Sequence, residues 1–199
     1  MKIETIADLE ALYGVPPEGA ILKVTDHLTS GYRALVEAAP LVALATGGAD
    51  GFDCSPRGDP GQVAFVRDPR TLVIPDRRGN NRLDTLRNIV ADGRIAALFL
   101  VPGCNETLRV NGRAHLSTEP ELLDAHVMQN KRPVCCIVIE VAQVYFQCCK
   151  ALVRSDLWNA RVDRASLPTA GELLRGAHAP FPAEEYDAAY PARLKKTLY

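Results

Sequence analysis

From Leu41 onward the apolar residues change period. Leu41-Val42-Ala43-Leu44-Ala45-Thr46 is an unbroken β-prone run, and Gly47-Gly48-Ala49-Asp50-Gly51 is a turn. Short strands follow at Asp53 to Pro56, Gln62 to Val66 and Thr71 to Ile74, with Arg67-Asp68-Pro69-Arg70 as a connecting turn. This is meander spacing, too tight for the crossover helices of a parallel sheet. One helix interrupts: Leu83, Leu86, Ile89 and Val90 share a helical face, and Gly93 closes it. Strands resume at Arg94 to Val101 and Thr107 to Leu116, joined through Pro102-Gly103-Cys104-Asn105. Two more follow at Val134 to Val141 and Val144 to Cys148, apolar enough to be core. Between them Thr118-Glu119-Pro120-Glu121 has the form of a capping box with proline in the first turn. It opens a helix through Leu122, Leu123, Ala125 and His126 toward Met128, and Pro133 ends that region. Seven or eight short strands with one helix set among them predict a mainly β, α+β fold: a closed or split antiparallel barrel with peripheral helices.

The margins read as helical. Thr5-Ile6-Ala7-Asp8 can cap a helix running to Tyr13, with Gly14 at its end and Pro16-Pro17 forbidding continuation. Ser30 to Ala39 places Tyr32, Leu35, Val36 and Ala39 on one face before Pro40. After Trp158 the chain turns to arginines, prolines and short helical patterns, including a cap at Thr169 with Glu172. The expected organisation is an N-terminal helical extension over 1–40, a barrel over 41–158, and a tail over 159–199 that packs on the barrel or on a partner chain.

Composition narrows the partners. A net charge of −1, with 24% charged and 47% hydrophobic residues over 199 positions, offers no basic excess for a nucleic-acid backbone. No signal-peptide apolar region and no membrane-length apolar run is visible, so a soluble, cytoplasmic protein is expected. The six cysteines form no CxxC pair, no histidine lies at ligand spacing from them, and the neighbours Cys135 and Cys136 must point to opposite faces of a strand. They are read as reduced, mostly buried thiols with no metal. His27, His115, His126 and His178 are scattered and receive no role. GxGxxG after the first strand, Walker A, GxSxG and HExxH are all absent.

The run Pro75-Asp76-Arg77-Arg78-Gly79-Asn80-Asn81-Arg82 stands out, because it sets three arginines and two asparagines just ahead of a helix. Unpaired amides and partial positive charge at a helix start attract phosphate, and Arg77 or Arg82 could add paired donors. A solvated basic turn capped by asparagine is the other reading, since turns favour the same residues. Ser55-Pro56-Arg57-Gly58-Asp59 ends an earlier strand, so a barrel could bring Arg57 to the same cleft. Thr107 and Arg109 share one strand face. Trp158 follows the basic segment from Cys148 through Lys150 and Arg154, as a packing anchor or as a cofactor contact.

Taken in order, these pieces resemble the pyridoxamine 5′-phosphate oxidase-like FMN-binding split barrels, over roughly Leu41 to Trp158. The likeness rests on Ala45-Thr46 before a glycine turn, Ser55-Pro56-Arg57-Gly58-Asp59, Thr71 through Asp76, Asn80-Asn81-Arg82-Leu83, Leu108-Arg109-Val110-Asn111-Gly112, and Cys149-Lys150-Ala151-Leu152 leading to Trp158. It implies a homodimer with two FMN molecules in interface grooves. Arg57, Pro75, Asp76, Asn81 and Arg82 would face the ribityl phosphate, with Ile74, Arg77 and Asn80 completing that wall. Thr107, Arg109, Lys150 and Trp158 would approach the flavin from the strands and tail, including across the dimer. The implied activity is FMN-dependent oxidation or reduction of a small molecule. A non-catalytic flavin carrier, or a split barrel holding haem or a deazaflavin, is the alternative. The chain departs from the vitamin B6 oxidase where Pro75-Asp76 replaces an aromatic-threonine pair, where Asn81-Arg82 or Arg82-Leu83 stands for an Arg-Lys pair, and where a C-terminal arginine and histidine segment is missing. Oxidation of pyridoxamine phosphate is therefore not the expected reaction.

Overall fold

A computed structural model describes residues 2–49 and 51–199; Asp50 of the expected glycine turn lies outside the described residues. In chain order the elements are α1 (Ile6–Tyr13), α2 (Glu18–Leu22), α3 (Ser30–Glu37), β1 (Leu41–Gly48), β2 (Gly51–Gly58), β3 (Phe65–Asp68), β4 (Thr71–Asp76), α4 (Asp84–Ala91), β5 (Arg94–Leu100), β6 (Thr107–Ser117), α5 (Pro120–Ala125), β7 (Cys135–Gln147), α6 (Lys150–Ser155), α7 (Ala170–Ala177) and α8 (Ala183–Thr197). Seven strands form one sheet in the order β2-β1-β5-β6-β7-β4-β3, every pair antiparallel. The sheet is mainly β with helices around it, as expected. It does not close, since β2 and β3 are both edges.

Alternation divides the sheet into an inner and an outer face. Val42 and Leu44 of β1, Ala97 and Phe99 of β5, Leu108 and Val110 of β6, and Ile137, Ile139 and Val144 of β7 are buried on the inner face. Leu72 and Ile74 of β4 continue it, and Val36 and Ala39 from the α3 end complete the core. Thr46, Leu44 and Val42 pair with Asp53, Ser55 and Arg57, so those three polar residues share the inner face at the open β2 edge. Here α4 packs across β1 and β2, and Asn88 Nδ2 donates to Thr46 Oγ1 at 3.1 Å.

Several boundaries differ from the sequence expectation, each for a local reason. Gln62 to Ala64 is not strand: Val63 donates its amide to Ala39 O at 2.9 Å, so β3 starts at Phe65 and takes in Arg67 and Asp68. The turn shrinks to Pro69-Arg70, held by Asp68 Oδ1 accepting from the Arg70 amide at 2.8 Å. The Thr118 capping box does not form. Glu119 is the cap residue of α5, and Ser117 Oγ accepts from its amide at 3.2 Å. The helix stops at Ala125, and Met128 belongs to a turn bridged to Lys131. The two last expected strands are one: β7 runs through, with Ala142 unpaired as a bulge between the Asn111–Gln143 and Gly112–Val141 pairs. Lys150 to Ser155, within the basic segment that leads to Trp158, is helical. Only Cys135 and Cys136 are buried, whereas Cys54 and Cys148 are exposed, so the thiols are not mostly interior. The Thr169–Glu172 capping box is formed in full.

Candidate functional site

The 75–82 run does join a strand end to a helix start, but its residues divide into three roles. Ile74 and Pro75 are buried in β4, where they pair with Ile137 and Cys136, and neither lines an open hollow. Arg77 is a brace. Its Nε donates to Asp59 Oδ2 at 2.8 Å and its Nη1 to the main-chain oxygen of His126 at 2.7 Å, tying the turn to β2 and to the α5 end. Asp59 is 2% exposed at its side chain, so this pair is interior, and removing either partner would strand a buried charge. Asp76, Asn80, Asn81 and Arg82 remain at the opening.

Two hollows flank those residues. A groove of about 470 Å³ is lined by Arg57, Asp76, Arg78, Asn81, Leu83 and Tyr199, among others. A cleft of about 500 Å³ lies under α4, with Asp53, Ser55, Asp84, Thr85, Arg87 and Asn88 in its wall. Arg57, Asn80 and Leu83 line both. Arg57 Nε lies 3.4 Å from Asp76 Oδ1, and Arg57 Nη1 donates to Pro56 O at 3.0 Å. Burial pushes the Asp76 carboxyl above the usual carboxylate range, a rise that Arg57 only partly offsets. Paired with Asp76 is Cys135, whose thiol is pushed up to about 11 by burial and by the Asp76 charge, so it stays protonated.

The helix start is unusual. Leu83 was expected inside α4, yet it is the cap residue, with φ 65°, and it is 44% exposed; Val90, placed on the same face by sequence, is 76% exposed. Thr85 and Ile89 are the buried pair instead. Asn81 is also left-handed, at φ 59°. Two non-glycine residues in that region within three positions cost free energy, and such strain concentrates at ligand sites. Leu83 gives α4 no side-chain cap, so the first-turn amides keep their hydrogen-bonding capacity. Arg82 is held back toward Asp84, and Asn80 Oδ1 accepts from the Arg82 amide at 3.0 Å. Asp53 accepts from Ser55 Oγ at 2.9 Å and from Thr85 Oγ1 at 2.5 Å.

The remaining expected contacts lie elsewhere in this chain. Arg109 projects from the outer face and donates to Tyr145 OH at 3.2 Å, while Thr107 is buried. Trp158 Nε1 donates to Cys104 O at 2.9 Å, pinning the segment after α6 to the β5–β6 connection. Lys150 is exposed at the start of α6. None of these four lines the groove or the cleft. Conversely, Asp53, Ser55, Thr85 and Asn88 line the cleft without having been singled out for it. The signal available for Asp53 and Ser55 was strand alternation with Arg57. Lys131 and Tyr199 meet beside the groove, a pairing of positions 68 residues apart that no local pattern announces.

An open antiparallel sheet with an arginine-bearing groove between its edge strand and an inserted helix defines an α+β class with an anion-compatible site. The sequence profile of the family described as pyridoxamine 5′-phosphate oxidase matches residues 28–148, and the chain belongs to that family. Among solved structures, a variant of HupZ from Group A Streptococcus is similar at 20% identity and a TM-score of 0.50, over 60% of this chain and 99% of that one. A Lactobacillus delbrueckii protein named for pyridoxamine 5′-phosphate oxidase is similar at 21% identity, TM-score 0.49, over 61% and 95%. The FAD binding protein of Mycobacterium smegmatis is similar at 12% identity, TM-score 0.41, over 61% and 95%. At these identities the HupZ likeness concerns the fold alone. No curated protein matches the chain.

Proposed function

We propose that this protein binds FMN as a homodimer and uses it to oxidise or reduce a small molecule. The observation that carries the reading is the joint between β4 and α4, where Arg57, Asn80, Asn81 and Arg82 surround an uncapped helix start with strained backbone. The donor set fits a phosphate monoester: Arg57 retains donors beyond those given to Asp76 and Pro56, and the asparagine amides and first-turn N–H groups are of the right kind. Asp76 and Asp84 lie in the same walls, so the phosphate competes with Asp84 for Arg82, and Arg57 shields it from Asp76. Bound FMN would supply the electron transfer itself, while the protein supplies position, charge and exclusion of water.

The outer face supports the homodimer. Half-exposed Ala43 and Ala45 of β1 and Ala96 and Leu98 of β5, with Phe52 of β2, 97% exposed, form an accessible apolar surface among the described residues. Arg109 and Tyr145 lie on that same face through the Leu98–Arg109 and Arg109–Tyr145 pairs. A second copy set against it would bring Thr107, Arg109, Lys150 and Trp158 toward the other chain's groove. No helix among the described residues is long and apolar enough to cross a membrane.

Titration of the purified protein with FMN, followed by flavin fluorescence and absorption, tests the reading. Arg57→Ala should weaken binding by about 1.5–3 kcal/mol through loss of a charge-assisted contact, with the fold retained. Unchanged affinity would place the phosphate elsewhere. Reduction of bound FMN by NADH, NADPH or a reduced deazaflavin separates an enzyme from a carrier, for which no donor would work.

A further inference from the structure

The turn 77–81 stands between two hollows. One is the groove described above. The other, of about 310 Å³, lies between Arg77, Arg78 and Asn81 on one side and the 128–134 segment on the other. Arg77, Arg78, Asn81, Val134 and Tyr199 line both, and Leu198 lines the groove, so Leu198 and Tyr199 complete a partition that the turn begins. The partition is anchored by Lys131, whose Nζ donates to the main-chain oxygen of Tyr199 at 2.5 Å. Lys131 is itself well placed: its amide donates to Met128 O at 2.9 Å, and the Met128 amide donates back to Lys131 O at 3.0 Å. At its other end the tail is stiff. Asp187 of α8 accepts from the Gly171 amide at 2.8 Å and from Thr169 Oγ1 at 2.5 Å, clasping α8 onto the start of α7.

We infer that residues 198–199 are a latch on the ligand groove. Tyr199 stands in one wall, Lys131 holds the latch shut, and release widens the passage between the two hollows beside the turn. The contact that Lys131 makes is an exposed ammonium contact, and contacts of that kind are weak in water, so the latch opens readily. Lys131 and Tyr199 are therefore part of the binding site, although they belong to segments outside the β4–α4 joint. Arg78 has no ion-pair partner among the described residues and faces the same partition, so an anionic group that passes the latch meets an unpaired cation.

The ligand half of this inference rests on the flavin reading, and two measurements keep the two apart. In the ligand-free protein, Lys131→Ala should speed amide hydrogen exchange over the last turn of α8, and unchanged exchange would overturn the latch. In the FMN-loaded protein, Lys131→Ala and Tyr199→Ala should each release FMN about two- to fivefold faster, the scale of one exposed charged contact. The double variant should be no faster than the faster single one. Faster release in Lys131→Ala alone would mean that Lys131 holds the ligand directly and the tail does not, which overturns the latch. Wild-type protein that takes up no FMN would sink the flavin reading and the gating of FMN with it, while altered exchange would still establish the anchored tail.

Discussion

Asp76, half-buried in the groove wall, and His126, buried, are titratable groups whose shifts run in opposite directions. Burial raises the Asp76 carboxyl above its ordinary 3.8, so between 3.8 and its folded value the native chain holds more protons than the unfolded one. Stability from this group is full below 3.8 and is lost as pH rises through the folded value. His126 is lowered from 6.5, first by burial and then by Arg77, so its contribution is present above 6.5 and is lost as pH falls through the folded value. Its Nδ1 is buried without a partner among the described residues, as is Asp59 Oδ1 across the Arg77 brace. His126→Gln keeps the main-chain oxygen that Arg77 uses, and it should flatten the loss of stability below 6.5 in urea midpoints measured across pH. An unaltered acid limb would show that His126 protonates freely in the fold. Asp76→Asn should likewise remove the decline on the alkaline side of 3.8. Little of this was legible in sequence. Arg77 looked like a phosphate donor because it neighbours Arg82, and only the fold, which sets Asp59 after β2 and His126 after α5 on either side of it, shows that a buried carboxylate already claims it.

The strand pattern was legible because period and spacing are local properties. β1, β5 and β6 begin where their alternation begins, and α3 buries the face that its spacing marked. What escaped was set by partners distant in sequence. β7 reads as two strands because its bulge at Ala142 breaks the alternation, yet pairing with β6 carries the strand through. α4 starts a residue late because Leu83 is used as a left-handed cap, against its propensity. The bulge makes a sharp claim on Gly112: a Cβ there would meet Glu140 O at 2.0 Å. Gly112→Ala should therefore destabilise the protein by about 1–3 kcal/mol in chemical denaturation, as overpacking does. Gly176, with open space around it, gives the control. Equal midpoints for the two variants would show that β6 and β7 can part at the bulge without cost.

At the scale of the whole molecule, the outer face of the open sheet is covered by α5 at β4 and β7, stays accessible over β2, β1 and β5, and the molecule carries a groove at the β2 edge. A second copy over that face would cover Leu98 and Phe52 and add residues to the groove that one chain lacks. Leu98→Asp, which sets a charge in the middle of the small apolar patch, should shift a dimer toward monomer in sedimentation or light scattering and weaken FMN uptake in step. A dimer unaffected by it would move the interface elsewhere. The α1 helix buries no residue of its own, and α8 packs on α7, so both ends of the chain contribute little to the sheet core. The central claim is the groove between Arg57 and the start of α4, and stoichiometric FMN uptake tests it most directly. The account predicts a yellow protein that binds one FMN per chain and loses that affinity in Arg57→Ala; a colourless protein that takes up no FMN at micromolar concentration would contradict it.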